Sequence, residues 1–421
     1  MKNLLIIEIV LNFEFFIAKR LISTKKYKSS ISAPIIKIAI AAIAIGVIMM
    51  LVSFATGMGL QLKIQEKIAA FNGHIIISNY DNNSSQVSLM PVSLDQDFYP
   101  EFKSVEGITH VQAVASKAGI IRTETDFEGI IVKGVGADYK WENFEDFLVE
   151  GELPDFSENL NEEILISNFL ARRMGFKIGD KVITYFLRED ANRPPLLRAF
   201  EVKGIYSSGF QEFDELYILA DIRHIQRLNS WEKDQVGGFE VFIENFDQID
   251  KKGGEVYENT GSLLDTQTIK QKYYSIFEWL SLFDFNIALI IGIMILVAGI
   301  NMITALLVLI LERTQMIGIL KALGDGNWSI RKIFLYNAAY LIGLGLFWGN
   351  LIGLGLLFIQ KYFKLFPLNP ETYYVTEVPV YIGWEYIVGV NLGTLILCLL
   401  MLLIPSIVIT KISPVKAMKF D

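Results

Sequence analysis

Residues 312–334 read "ERTQMIGILKALGDGNWSIRKIF", a charged island between two apolar runs. The flanking runs, 285–311 and 333–359, contain no Asp, Glu, Lys or Arg. A helix rises about 1.5 Å per residue, so about 20 apolar residues cross the ~30 Å hydrocarbon layer of a bilayer. Both runs are long enough. Two further stretches qualify: 35–57, whose one charge is Lys37 at its start, and 386–410, which has none. The pattern predicts an α-helical membrane protein with four transmembrane helices. The interval between the first and second spans is long enough for a separate domain.

The layout that follows is 1–34, an N-terminal segment with an amphipathic interfacial helix; 35–57, span one; 58–282, an inserted α+β domain; and 283–311, span two. After the island at 312–332 come 333–359, span three; 360–385, a loop; 386–410, span four; and 411–421, a tail. Residues 4–11, "LLIIEIVL", are apolar but interrupted by Glu8, and no small-residue cleavage site follows them. In "NFEFFIAKRLI" the residues Phe13, Phe16, Ile17 and Arg20 or Leu21 fall at helical spacing, which predicts an amphipathic helix lying in the membrane interface.

Lys and Arg near span ends set orientation. Lys19, Arg20, Lys25, Lys26, Lys28 and Lys37 precede or open span one. Arg313, Lys321, Arg331 and Lys332 lie in the island, and Lys411, Lys416 and Lys419 follow span four. The 360–385 loop has only Lys361 and Lys364. Both termini and the island are therefore expected in the cytoplasm, with the inserted domain outside. Charge supports two environments. Residues 60–281 carry 22 Lys/Arg against 37 Asp/Glu, whereas the remainder carries 16 against 9.

The mean hydropathy of +0.39 is too high for an ordinary soluble protein. Cys398 is the one cysteine, so no intrachain disulfide forms. His74, His110 and His224 are far apart and offer no metal-ligand spacing. No Ser/His/Asp or cysteine-nucleophile arrangement appears in the inserted domain, which argues against an enzyme, and nothing points to nucleic acid. In span three, Gly345, Gly349 and Gly353 recur every four residues and predict close helix packing. Asn286, Asn301, Asn337 and Asn350 are expected to hydrogen-bond across helices; without a buried ionisable residue, an ion-coupled transporter is disfavoured.

Within the inserted domain, "NGHIIIS" and "EGIIVKGV" predict strands. Ser167 is positioned to cap a helix over 168–174, and Gly175 to end it in a left-handed turn. Strands at 181–187, 200–206 and in "LYILAD" follow. Between the first two, "REDANRPPLLRA" is a hairpin tip stiffened by Pro194 and Pro195, with Leu196 and Leu197 exposed between Arg193 and Arg198. The island itself reads as a helix over 312–323. Met316, Ile317, Leu320 and Leu323 form its apolar face, Glu312, Arg313 and Lys321 its polar one, and Gly324 its stop.

These segments resemble a known family. "FFIAKRLISTKK" (15–26), "FNGHIIIS" (71–78), "ISNFLARRMGFKIGDKV" (166–182), "FEVKGIYSSGFQEFDELYILADIRHIQRL" (200–228), "ERTQMIGILKALG" (312–324) and "ISPVKAMKFD" (412–421) are similar to the FtsX-like, MacB-type ABC transporter permeases. The lipoprotein-releasing LolC/LolE branch is the nearest. The resemblance implies a non-catalytic permease of the bacterial inner membrane, packed against a second copy or a sister permease. No G-x-x-x-x-G-K-[ST] loop is present, so ATP and Mg would sit on a separate cytoplasmic ABC ATPase dimer, and this chain would bind no cofactor.

By the same resemblance, the island is a coupling helix with Glu312, Arg313, Met316, Ile317, Gly318, Leu320, Lys321, Leu323 and Gly324 at the ATPase. The tip (Arg193, Pro194, Pro195, Leu196, Leu197, Arg198, Phe200) would recruit a periplasmic lipoprotein carrier. Met50, Phe54 and Met58 of span one, with Phe285, Leu289 and Ile293 of span two, are expected to line a membrane cavity for lipid acyl chains. The alternatives are a drug or peptide efflux permease, and a non-transporting signal transmitter controlling a periplasmic hydrolase.

Overall fold

The computed structural model describes residues 13–23, 33–82, 85–188 and 193–413. Lys25, Lys26, Lys28, Lys416 and Lys419, the 189–192 part of the tip and most of the 412–421 motif lie outside the described residues. The chain forms two compact units. One comprises residues up to 60, 280–367 and 378 onward; the other comprises 61–279 with 368–377.

Among the described residues of the first unit, four helices are long and apolar enough to cross a membrane. They are Ala33–Asn72, Tyr274–Glu312, Asn327–Phe363 and Trp384–Leu403, the last continued by a tight turn Pro405–Lys411. The first two have 40 and 39 residues. At about 1.5 Å per residue each is about 60 Å long, roughly twice the hydrocarbon thickness. Apolarity ends near residue 57, yet the first helix continues, because residues 60–72 lack Pro and Gly. It stops at Gly73, whose φ of +66° suits only glycine and whose N–H closes on Ala69 O at 2.7 Å.

The glycine stripe of span three lies against span one. A β-carbon on Gly345 would stand 2.7 Å from Ile43 Cβ, on Gly349 2.7 Å from Val47 Cβ, and on Gly353 3.3 Å from Leu51 Cδ1. Both sets advance by four residues, one per turn, so the two backbones approach along one seam. All four spans contribute to one buried cluster that includes Val47, Met302, Phe334 and Leu402.

Of the intramembrane amides, Asn350 bonds across helices, in a reciprocal pair with Asn391 at 2.6 and 2.9 Å. Asn301 instead donates to Val297 O on its own helix, Asn286 faces outward, and Asn337 is buried with neither amide end partnered. An amide's direction around a helix is set by the neighbours, which residue type alone does not specify. The short helix Phe13–Ser23 packs on the start of span three, where Glu14 meets Lys332 at 3.5 Å and the Phe15 ring meets Tyr336 edge-on at 5.9 Å.

The second unit, the head, is α+β. Its strands are β1 (Ile75–Asn79), β2 (Val92–Ser93), β3 (Ile108–Arg122), β4 (Phe127–Val135), β5 (Leu148–Gly151), β6 (Glu163–Ser167), β7 (Lys181–Phe186), β8 (Leu196–Tyr206), β9 (Tyr217–Asp221), β10 (Gln235–Val236), β11 (Gly238–Ile243) and β12 (Leu264–Thr268). Among the described residues, ten form one sheet in the order β12-β1-β11-β3-β4-β9-β6-β8-β5, with β7 bridging β3 and β8; β2 and β10 form a small second sheet. The pairs β4/β9 and β6/β8 are parallel and the others antiparallel. The helix Asn168–Met174 has the expected cap, with Ser167 accepting from Leu170 N–H, and ends at Gly175 with φ +76°.

Residues 368–377, expected as part of a plain loop, belong to the head. Val375 is buried and the Tyr374 ring stacks on Phe210 at 4.5 Å. Nothing local in "LNPETYYVTE" announces this, because the pocket that receives it is built from distant residues.

Candidate functional site

The island helix is Thr314–Ala322, separated from the span-two helix at Arg313 by non-helical torsions of −102° and 19°. Gly324, at φ +93°, stops it. Its apolar stripe does not all face outward. Ile317 and Gly318 are buried, and Met316 and Leu320 pack against the bundle core. The exposed apolar side chains are Ile319 (48%) and Leu323 (80%), with Leu311 and Trp328 nearby in sequence. Of the expected docking residues, Glu312, Leu323 and Gly324 are exposed, and Ile319, outside that set, is exposed as well. The reason is physical: a short helix between two spans must bury one stripe merely to be held.

Two of the island's cations, Lys321 and Arg331, are tied to the end of span four. Lys321 Nζ donates to the carbonyls of Ile409 (2.7 Å), Thr410 (3.3 Å) and Ile412 (2.9 Å). Arg331 donates to Ser406 Oγ at 2.9 Å and Leu403 O at 2.8 Å, and its guanidinium lies over the Trp328 ring at 5.0 Å. The end of span four would otherwise present unmatched carbonyls and a negative dipole end. Two basic side chains satisfy it and fasten the island to the last span. Glu312 is exposed and Arg313 half-buried.

At the hairpin tip, Phe186 pairs with Leu196, and Arg193, Pro194, Pro195 and Leu197 are exposed. Leu196 and Arg198 are half-buried. Phe200 is not a tip residue: it is buried, edge-on to His224 at 5.0 Å, because its parity on β8 points it into the core. The structure adds the β3–β4 turn, which the sequence reading missed. With β7 and the tip it forms a cleft of ≈ 520 Å³ lined by Ile120, Phe127, Tyr185, Leu187 and Pro195. Phe127 is 74% exposed.

The six expected acyl-chain contacts do not form one surface. Met50 is fully enclosed in the bundle core, Phe54 packs on Tyr386 at 4.0 Å, and Met58 is half-buried. Phe285, Leu289 and Ile293 occupy an outward face of the span-two helix. Met50 lies on the face of span one that packs against its neighbours, whereas Ile38, Ile45 and Met49 of the same span are exposed, so Met50 is not open to a lipid in this structure.

Inside the head, the end of the first long helix carries a built polar site. Phe71, at the helix end, is buried among Phe213 (4.7 Å), Phe144 (5.0 Å) and Tyr206 (5.6 Å). Its carbonyl accepts from Lys133 Nζ, which also pairs with Glu240 at 2.5 Å. Glu240 accepts from Gln112 Nε2 at 2.8 Å. Lys133, Glu240 and Gln112 are all buried, on the adjacent strands β4, β11 and β3. Asn72 Oδ1 accepts from Tyr273 Oη at 3.0 Å and Lys272 Nζ at 3.3 Å. The chain's entry into the head is thereby tied to its exit.

The architecture is that of a membrane permease whose head is inserted between spans one and two. The MacB-like periplasmic core domain family matches residues 38–250, and the FtsX-like permease C-terminal family matches 288–414. The chain belongs to the FtsX-like permeases that carry a MacB-like periplasmic core.

Among similar proteins, the lipoprotein-releasing system transmembrane protein LolC of Buchnera aphidicola subsp. Schizaphis graminum is 25% identical over 88% of this chain and 90% of its own. LolC of Neisseria meningitidis serogroup B is 22% identical over 97% of this chain and all of its own. The crystal structure of the periplasmic region of MacB from Actinobacillus actinomycetemcomitans aligns with 48% of this chain and 91% of its own, at 14% identity and a TM-score of 0.33.

Proposed function

We propose that this chain is the permease subunit of an ABC mechanotransmission system that lifts lipoproteins from the outer leaflet of the inner membrane and passes them to a periplasmic carrier. The termini and island face the cytoplasm and the head faces the periplasm, as the Lys and Arg distribution favours. A separate ATPase dimer, holding ATP and Mg, grips the exposed Ile319 and Leu323 of the island. A second copy or a sister permease completes the transporter. Extraction needs external energy, since acyl chains resist leaving the bilayer by about 0.8 kcal/mol per methylene.

The observation that carries this reading is the continuity of the span-one and span-two helices from the membrane unit into the head, with Phe71 and its carbonyl fixed there. Aromatic packing and a buried ion pair give the end of the first helix a fixed point of attachment inside the head. The likeness to LolC proteins over about nine tenths of both chains supplies the cargo class.

The test is reconstitution of the chain with its ATPase and sister permease in vesicles loaded with a triacylated lipoprotein. ATP is expected to move the lipoprotein into the soluble fraction only when a carrier is present. ATP turnover without carrier-dependent release would overturn the assignment of cargo.

A further inference from the structure

We infer that the short helix Phe13–Ser23 is a docking site for an anionic phospholipid, with Lys19 and Arg20 holding the headgroup phosphate and the phenylalanine rings holding the upper acyl chains. The inference involves the membrane-spanning unit alone and goes beyond the transport reading, since it is the same for any cargo.

The helix has two unlike faces. At 3.6 residues per turn, Glu14, Ile17, Ala18 and Leu21 share one side; Phe13, Phe16 and Arg20 share the other, with Phe15 and Lys19 beside them. The first side packs on protein: Ala18 is buried, and Glu14, Ile17 and Leu21 are half-buried. The second is open, with Phe13, Phe15, Phe16, Lys19 and Arg20 all exposed. Three exposed rings on an 11-residue helix are unfavourable in water and mark an interaction surface.

Span three sets the depth of this surface. Glu14 meets Lys332, the last charge before the uncharged run that begins at residue 333, and Phe15 meets Tyr336 one turn further in. Tyr336 and Tyr340 are both exposed, as tyrosines at the boundary between headgroups and acyl chains are. The helix therefore lies at that boundary, where phenyl rings enter the acyl region and long basic side chains reach the phosphates.

Charge selects the lipid. Glu14 is the one acid of the helix, and it is turned to Lys332. The open face is left with two cations and no anion. A guanidinium can bind a phosphate through two parallel N–H bonds, and a neighbouring ammonium adds charge. A zwitterionic headgroup brings its own cation and gains less. A second copy of the chain seated on this face would set like charges against each other.

The test uses the full-length chain in phosphatidylcholine nanodiscs that carry a trace of photo-crosslinkable phosphatidylglycerol or of the matching phosphatidylcholine probe, with labelled peptides located by mass spectrometry. The phosphatidylglycerol probe is expected to label residues 13–23 several-fold more than the phosphatidylcholine probe. Lys19→Gln is expected to cut that labelling about fivefold, and adding Arg20→Gln to cut it further, in line with the contribution of one basic residue at a membrane surface. Lys19→Arg should retain it. Lys361→Gln, which removes an exposed lysine at the opposite end of span three, should leave it unchanged.

Equal labelling by the two probes overturns the headgroup selection. Undiminished labelling in both Gln variants overturns the part given to Lys19 and Arg20. Displacement of the probe by excess inorganic phosphate assigns the cations to a free anion instead of a lipid, and crosslinks between two copies at 13–23 in place of lipid give the face to a second chain. If a variant melts below wild type in detergent, the comparison of the two probes on the wild type still decides the site.

Discussion

Gly349 of span three faces Val47 of span one so closely that a β-carbon on the glycine would stand 2.7 Å from Val47 Cβ and 2.9 Å from Ala44 O. One of these is backbone, which cannot rotate away. Gly349→Ala is expected to cost about 1–3 kcal/mol through forced separation of the helices. Thermal unfolding in detergent checks this. Gly343 and Gly355 on the same helix have open space around them. Alanine there is expected to be neutral or stabilising by up to about 1 kcal/mol, since it removes glycine's helix penalty.

Leu323 and Leu320 are three residues apart on the island, but only Leu323 is well exposed; Leu320 packs against the bundle. Leu323→Asp is expected to lose the ATPase in pull-down while melting like wild type. Leu320→Asp buries a carboxylate against apolar side chains and is expected to lower the melting temperature itself. Full ATPase retention by Leu323→Asp would show that the docking face lies elsewhere.

Glu240 is the buried counter-charge of Lys133. Glu240→Gln leaves that cation uncompensated and is expected to destabilise the head by about 3–5 kcal/mol, whereas replacing both residues by Met removes both charges and is expected to cost far less. Denaturant unfolding of the two variants separates these outcomes. Equal losses would mean that the pair acts through packing rather than charge.

His74 accepts a hydrogen bond at Nδ1 from Ile243 N–H at 3.1 Å, which needs that nitrogen unprotonated. Burial pushes its pKa down to about 4, below its ordinary 6.5. Above 6.5 the ring is neutral in both states, and its contribution to stability is fully present. As pH falls from 6.5 toward 4 the unfolded chain takes up the proton first, and stability falls by up to about 2–3 kcal/mol. A melting-temperature profile from pH 7 to 4 should show this drop, and His74→Gln should reduce it. An unchanged profile in the variant would assign the acid sensitivity to other groups.

Phe127 and Leu197 are exposed near the tip of the head, and Phe127 lines the cleft beside Pro195. If this surface receives a carrier, Phe127→Asp and Leu197→Asp are each expected to weaken carrier capture at least tenfold, about 1.4 kcal/mol, with ATPase assembly intact. Phe200→Ala, by contrast, is expected to destabilise the fold, since that ring is buried beside His224. Surface plasmon resonance with a purified carrier distinguishes the two behaviours. Undiminished capture by both Asp variants would remove the docking assignment.

Much of the architecture was legible from residue type and spacing. Charge-free runs mark spans because a bilayer offers no water to a charge. Ser167 and Gly175 mark the ends of their helix because the first supplies an acceptor to an orphan N–H and the second alone enters the left-handed region cheaply. The every-fourth glycines of span three mark a packing face for the same local reason. Such features depend on covalent geometry and solvent, which act on a segment wherever it lies.

Direction and partnership were decided only in three dimensions. Sequence gives Ile317, Leu320 and Leu323 one apolar stripe, but whether a stripe meets the protein's own core or another protein depends on where the spans place the helix. Met50 was equally apolar as a cavity wall or as core, and the packing of the spans made it core. Lys67 and Tyr374, 307 residues apart, became neighbours through the head's assembly. Local chemistry is short-ranged and therefore written in the sequence; contacts between distant segments arise from the packing that best buries apolar surface and satisfies polar atoms across the whole chain, so they emerge only once it has folded.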